Sequence, residues 1–413
     1  MTRQKFDRGG KEGMNFDFDR PVDRRGTYSL KWDLYKGRDV IPLWVADMDF
    51  PVSPAIVEAL HAHVNHGIFG YTLVPDTLVD VVVARMAARY GWEIDPEWVV
   101  WLPGLVTGIN VACRAVGDPG NEVVTTVPIY PPFLSAPKHA ARRIITVPLV
   151  ERDGCWHLDP ETLEGVLTPA TRLLLLCSPH NPTGRVFTRQ ELLSLAAICE
   201  RHDLVICSDE IHCELVLDEE KEHLPTAVLS PEIEKRTITL MAPSKTFNIP
   251  GLGCSFAIIA ERELRRKFVA AMAGIVPHVN ALGYTAALAA YRDGRSWHEA
   301  ILEYLRKNRD CVEALVGEMP GLSMHHVEAT YLAWIDTRQT GLDNAVATFE
   351  EAGAGLSDGR YFGTEGFVRL NFGCPRPLLR EALQRMNAAI SAQEGSREGP
   401  SRSTDDNGAD RWD

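Results

Sequence analysis

Apolar positions along residues 50–250 alternate between two spacings. Pro54–His66 and Asp76–Tyr90 carry them at helical intervals, and Gly104–Val116 opens a third helix after the turn Leu102-Pro103-Gly104. Shorter runs follow: Glu122–Val127, Arg143–Val147, Thr171–Cys177, Leu204–Ser208 and Thr237–Ala242. These lack polar alternation, the pattern of parallel strands covered on both faces. Thr188 and Glu191 form a T-x-x-E capping box ahead of a helix over Leu192–His202. This rhythm predicts an α/β fold whose large domain has a mostly parallel sheet flanked by helices. From Ser296 the pattern changes to a long amphipathic helix (Ser296–Glu318), a strand (Tyr331–Ile335), a helix (Asp343–Ala352), a strand (Gly366–Asn371) and a helix (Pro375–Ile390). That order predicts a smaller α+β domain.

The expected organisation is a disordered N-terminal tail (1–13), a segment contributing to the small domain (14–50), a large domain (51–291), a small domain (292–393) and a disordered tail (394–413). A chain of 413 residues accommodates two domains. Its 43 basic and 56 acidic side chains leave a net charge of −13, which argues against general nucleic-acid binding. Nine scattered cysteines with no C-x-x-C pair suggest a reduced, cytoplasmic protein without a zinc site. The N-terminus has no apolar core for a signal peptide, and no run approaches the ~18 apolar residues of a membrane helix. His61 and His63 stand about 200° apart on their helix, so they do not form a metal face.

Ligands of open α/β sheets bind at the carboxyl ends of the strands. The residues there are informative: Tyr130 after the first run, Asn181 after the third, Asp209 after the fourth and Lys245 after the fifth. An amine, a carboxylate, an amide and an aromatic ring suit one aromatic, phosphorylated aldehyde cofactor. The lysine can form a Schiff base with the aldehyde. The carboxylate can keep a pyridine nitrogen protonated. The helix N-terminus near Gly104–Thr107 offers backbone N–H donors to a phosphate.

Taken in order, the motifs resemble those of fold-type I pyridoxal-phosphate enzymes of the aminotransferase superfamily, and of their cystathionine β-lyase (C–S lyase) branch. The resemblance spans about Asn15–Ile390. It is carried by Asp23-Arg24-Arg25-Gly26-Thr27 with Lys31-Trp32-Asp33, Trp44-Val45-Ala46-Asp47-Met48-Asp49-Phe50, and Gly67-Ile68-Phe69-Gly70-Tyr71-Thr72. It continues through Pro179–Arg185, Ser208-Asp209-Glu210-Ile211-His212, Ala242–Asn248 and Arg369-Leu370-Asn371.

The resemblance implies pyridoxal 5'-phosphate as cofactor, attached to Lys245 with Asp209 beneath the pyridine nitrogen. Asn181 would sit at the ring 3-oxygen and Tyr130 on the ring face, with Leu105, Val106, Ser244 and His212 completing the cofactor site. Tyr71 would reach the phosphate of a neighbouring subunit, giving a homodimer with shared active sites. Arg369 would bind the substrate α-carboxylate, with Asn181 and Ala46 on the substrate side. Gly253 stands where many aminotransferases carry a phosphate-binding arginine. The implied reaction is β-elimination of a sulfur leaving group from cystathionine or a related cysteine S-conjugate, giving a thiol, pyruvate and ammonia. An aminotransferase on the same fold and a regulatory protein acting through a partner are the alternatives.

Overall fold

The computed structural model describes residues 16–397. Seven strands build the large sheet: β1 (Val99–Leu102), β2 (Glu122–Val127), β3 (Arg143–Pro148), β4 (Thr171–Cys177), β5 (Val205–Asp209), β6 (Thr237–Met241) and β7 (Ser255–Ile258). Their spatial order is β1-β7-β6-β5-β4-β2-β3. Strands β2 to β6 pair in parallel, while β7 runs antiparallel to both β6 and β1. This is the mostly parallel, helix-flanked α/β sheet that the apolar runs predict.

The period-two geometry of a strand explains why those runs lack alternation. Leu173 and Leu175 of β4 join Cys207, Ile238 and Leu240 under helix α3 (Leu105–Ala115), which follows α1 (Pro54–His66) and α2 (Asp76–Tyr90). Leu174 and Leu176 point the other way, into a cluster with Leu192, Leu195 and Ile198 of α4 (Arg189–Arg201). Helix α3 lies close on the sheet because residue 108 is glycine. A Cβ there would stand 2.9 Å from a methyl of Leu240. Helix α4 begins at the expected capping box: Thr188 Oγ accepts from the Glu191 N–H (3.2 Å), and Glu191 accepts from the Thr188 N–H (2.8 Å).

The run at Arg143 was expected to be covered on both faces, but β3 is an edge strand with Arg143, Thr146 and Pro148 exposed. Only its Val147 is fully buried. Strands β1 and β7 gave no clear signal, being four residues each and flanked by turns.

Further along come α5 (Ala281–Asp293) and α6 (Arg295–Gly317), then the four-stranded antiparallel sheet and the last helix, α7 (Arg376–Arg397). The sheet contains β8 (Ser323–Met324), β9 (Leu332–Asp336), β10 (Ser357–Asp358) and β11 (Phe367–Asn371), in the order β8-β9-β11-β10. Leu305 and Val312 of α6 share one core with Leu379, Leu383 and Met386 of α7. Near the other end of the chain, Ile41–Pro42 pairs in parallel with Ala354–Gly355. Helix α7 continues to Arg397, so residues 394–397, expected as tail, are helical. The expected tail over 1–13 and the remainder of the second, 398–413, lie outside the described residues.

Among the described residues, no helix is long and apolar enough to cross a membrane. No group of three or more His, Cys, Asp or Glu side chains among them could hold a metal ion. The nine cysteines are free thiols.

Candidate active site

A cavity of about 230 Å³ opens at the carboxyl ends of β4, β5 and β6. Asn181, Asp209, His212, Ser244, Lys245 and Arg369 line it, with Tyr130, Leu105, Val106 and Ala46. The structure thus brings together every sequence-nominated site residue except Tyr71.

Asp209 ends β5 and is buried, with Oδ1 accepting from the Ile211 N–H at 3.1 Å. Burial pushes its carboxyl up to about 7, and the Glu210 charge adds to this; the Ile211 N–H and Lys245 oppose it. Lys245 follows β6 through the turn Ala242-Pro243-Ser244, and its Nζ donates to the Ala46 carbonyl at 2.5 Å. Burial pushes this amine down to about 8, against the pull of Asp47 and Asp209. Removing an ammonium from water disfavours its charged form, so an appreciable neutral fraction exists near neutrality.

Arg369 lies in the middle of β11, the one strand of the small sheet that reaches the cavity with a cation. Its Nη1 donates to Asn181 Oδ1 (3.0 Å) and its Nη2 to the Trp44 carbonyl (2.7 Å). The guanidinium carbon stands 4.6 Å from the centre of the Phe362 ring, and Nε has no hydrogen-bond partner among the described residues. Burial lowers its pKa to about 10, which leaves it cationic at neutral pH. His212 is pushed down to about 3 by burial and then by Lys245 and Arg369, so it is neutral. Its Nδ1 also lacks a hydrogen-bond partner among the described residues.

The first turn of α3 faces the same cavity through Leu105 and Val106. Its N-cap, Gly104, supplies no capping side chain. The N-terminal N–H groups of a helix are left without intrahelical acceptors and favour an anion. Gly253 has φ +55°, and a Cβ there would lie 3.1 Å from the Pro103 carbonyl. A side chain at this position would be strained in the present backbone.

Tyr71 lies elsewhere. It is fully exposed and borders a separate hollow with Phe69, Leu73 and Tyr284. Within one chain it does not reach the cavity.

Several groups around the site have no role that the sequence assigns. The Tyr331 hydroxyl donates to the Ala46 carbonyl at 2.9 Å, and its ring stands edge-on to His212 at 6.0 Å. Ser357 donates to the Trp44 carbonyl at 2.8 Å. Asn371 Nδ2 donates to the Val45 and Asp47 carbonyls at 2.6 and 2.7 Å. Cys177 also lines the cavity. The residues of a motif can be read along the chain, but which distant side chain bonds to their backbone carbonyls carries no periodic signal.

This donor set fits the cofactor inferred from the strand ends. It offers a partly neutral lysine, a buried carboxylate for a pyridine nitrogen and an uncapped helix N-terminus for a phosphate. The unpartnered His212 Nδ1 and Arg369 Nε are buried polar atoms, which ordinarily find a partner.

Residues 38–386 match the family described as aminotransferase class I and II. Cystathionine beta-lyase PatB of Bacillus subtilis (strain 168) is 40% identical over 387 residues, covering 91% of this chain and 100% of that protein. The crystal structure of OvoB is 48% identical with a TM-score of 0.90, covering 91% of this chain and 100% of that one. Cystalysin from Treponema denticola, whose structure contains pyridoxal 5'-phosphate, is 33% identical with a TM-score of 0.88 over 92% of this chain and 100% of that one.

Proposed function

The chain belongs to the aminotransferase class I and II family, and from that premise we propose that it is a pyridoxal-phosphate-dependent carbon–sulfur β-lyase. The observation that carries the reading is the convergence of Lys245, Asp209, Asn181 and Arg369 on one cavity. The likeness to PatB, named a cystathionine beta-lyase, supports elimination over amino-group transfer. The reaction is RS–CH2–CH(NH3+)–COO− plus water giving RSH, pyruvate and ammonium, with cystathionine or a related cysteine S-conjugate as substrate.

Lys245, Asp209, Asn181, Tyr130, His212, Ser244 and the first turn of α3 at Leu105 and Val106 would hold the cofactor. When bound, pyridoxal phosphate supplies an aldehyde that joins the substrate amine and a pyridinium ring that accepts the Cα electron pair. Asp209 keeps a counter-charge at the ring nitrogen. Arg369 binds the α-carboxylate through its planar fork and so selects which Cα bond is broken. Asn181, already bonded to Arg369, couples the carboxylate site to the cofactor site. Lys245 Nζ takes the Cα proton as general base, a role suited to an amine whose pKa burial has brought near neutrality. The thiolate then leaves from Cβ.

The purified protein loaded with pyridoxal phosphate is expected to form pyruvate and thiol from cystathionine in equal amounts, with no keto acid added. Activity only in the presence of a keto-acid acceptor would overturn the lyase reading in favour of a transaminase.

A homodimer belongs to the same proposal. Tyr28, Leu30 and Leu34 are exposed, as are Ile68, Phe69, Tyr71 and Leu73, apolar side chains that a second subunit would cover. Tyr71 of one subunit would then serve the site of the other and act there in catalysis. Sedimentation is expected to give a dimer; a monomer with full turnover would refute this. The domain boundaries at 51–291 and 292–393 and a cytoplasmic location are parts of this reading too.

A further inference from the structure

Two motifs are unexplained by the cavity chemistry: the run from Asp23 to Asp33, and the acidic pair Asp47 and Asp49. They meet at the segment Trp44–Asp49, which has neither helix nor strand structure. This strap nevertheless places the carbonyls that hold both reactive cations. Trp44 O accepts from Arg369 (2.7 Å), and Ala46 O accepts from Lys245 (2.5 Å) and Tyr331 (2.9 Å). An irregular segment has no ladder of its own to fix those carbonyls, so other donors must do it.

Part of the fixing comes from amides. Asn371 donates to the Val45 and Asp47 carbonyls, and Asn248 to those of Met48 and Phe50 at 2.9 Å each. The strap's own N–H groups add to this, Asp49 donating to the Gly373 carbonyl (2.8 Å) and Met48 to Asn248 Oδ1 (2.9 Å), and a further set of bonds comes from charges outside the cavity. Lys31 is fully buried, and its Nζ donates to Asp49 Oδ2 (2.8 Å) and the Asp47 carbonyl (3.2 Å). Arg24 forks across both acids, Nη1 to Asp49 Oδ1 (2.6 Å) and Nη2 to Asp47 Oδ2 (2.7 Å). Trp32 Nε1 adds a bond to Asp49 Oδ1 (2.8 Å), and Trp44 Nε1 returns one to the Lys31 carbonyl (3.1 Å).

Buried ion pairs are a poor route to stability, because well-packed apolar residues often do as well. What a forked, directional network supplies is position. We propose that Lys31 and Arg24 are positioning residues that, by gripping Asp47 and Asp49, set the Trp44–Asp49 strap and through its carbonyls the placement of Arg369 and Lys245. The inference rests on the lyase reading, since it assigns those two side chains to substrate and cofactor.

The test uses Lys31→Met and Arg24→Gln in the cofactor-loaded protein, assayed well below the measured melting temperature. Arg24 is partly exposed, so its variant keeps the experiment alive if Lys31→Met does not fold. A displacement of about 1 Å can lower a rate by ~10²-fold. Lys31→Met is accordingly expected to lose roughly that factor in kcat/KM, divided between a raised KM and a lowered kcat, and Arg24→Gln to lose less in the same direction. A second readout needs no turnover: borohydride trapping of pyridoxal phosphate on Lys245 in protein stripped of cofactor, followed by peptide mass analysis. Trapping is expected to be slower in both variants. Variants that melt earlier but keep wild-type kcat, KM and trapping rate would overturn the proposal, leaving a purely structural role. A wild-type protein that traps the cofactor but forms no pyruvate would instead overturn the lyase reading, and the trapping rates of the variants would still judge the strap. A wild-type protein that traps nothing would overturn both.

Discussion

Lys245→Ala is expected to lower pyruvate formation from cystathionine by roughly 10⁴-fold, the upper end for loss of a positioned acid or base. Among the described residues, no other primary amine lines the cavity. The fold is expected to survive, because the Ala46 carbonyl keeps its bond from Tyr331 and a costly buried amine is removed. Lys245→Arg should not restore activity, since a guanidinium keeps its proton near neutral pH. The checks are steady-state pyruvate release, the absorbance of bound cofactor and a melting curve. An alanine variant within tenfold of wild type, at unchanged stability, would remove Lys245 from the mechanism.

Arg369→Ala is the second large effect. Truncating one side of a buried, hydrogen-bonded charge pair costs about 2–5 kcal/mol, or ~30- to ~5000-fold in kcat/KM. The loss is expected mainly as a raised KM for cystathionine, because the carboxylate is bound in the ground state as well as the transition state. Arg369→Lys should recover only part of it. A single ammonium cannot span the Asn181 and Trp44 acceptors while also meeting a carboxylate in the plane of the fork. Kinetics with the alanine and lysine variants side by side decide the matter: an unchanged KM in Arg369→Ala would place the carboxylate elsewhere.

Much of the architecture was legible in the chain. The runs at Thr171–Cys177, Leu204–Ser208 and Thr237–Ala242 became β4, β5 and β6 with small shifts at their ends, because strands buried on both faces must be apolar at every position. The misread strand shows the limit of that logic. Arg143–Val147 is as apolar in pattern, yet β3 sits at the edge, and edge position depends on which strands pair and not on composition. The short β1 and β7 lack the length for a period to show.

The site divides in the same way. Asn181, Asp209 and Lys245 could be named because each follows a recognisable strand, where local order along the chain puts chemistry at a sheet's carboxyl edge. What the sequence by itself determined is therefore the parallel sheet, the identity of its strand-end side chains and the class of cofactor they suit. Only the tertiary structure decided that Arg369 meets Asn181, that the Trp44 and Ala46 carbonyls hold the two cations, and that Tyr331 shares one of them with Lys245. Only there does burial bring Lys245 down to about 8 and Asp209 up to about 7. The physical reason is that these features join segments far apart in the chain and depend on desolvation. Both are properties of enclosed space, and no local pattern of residues encodes them.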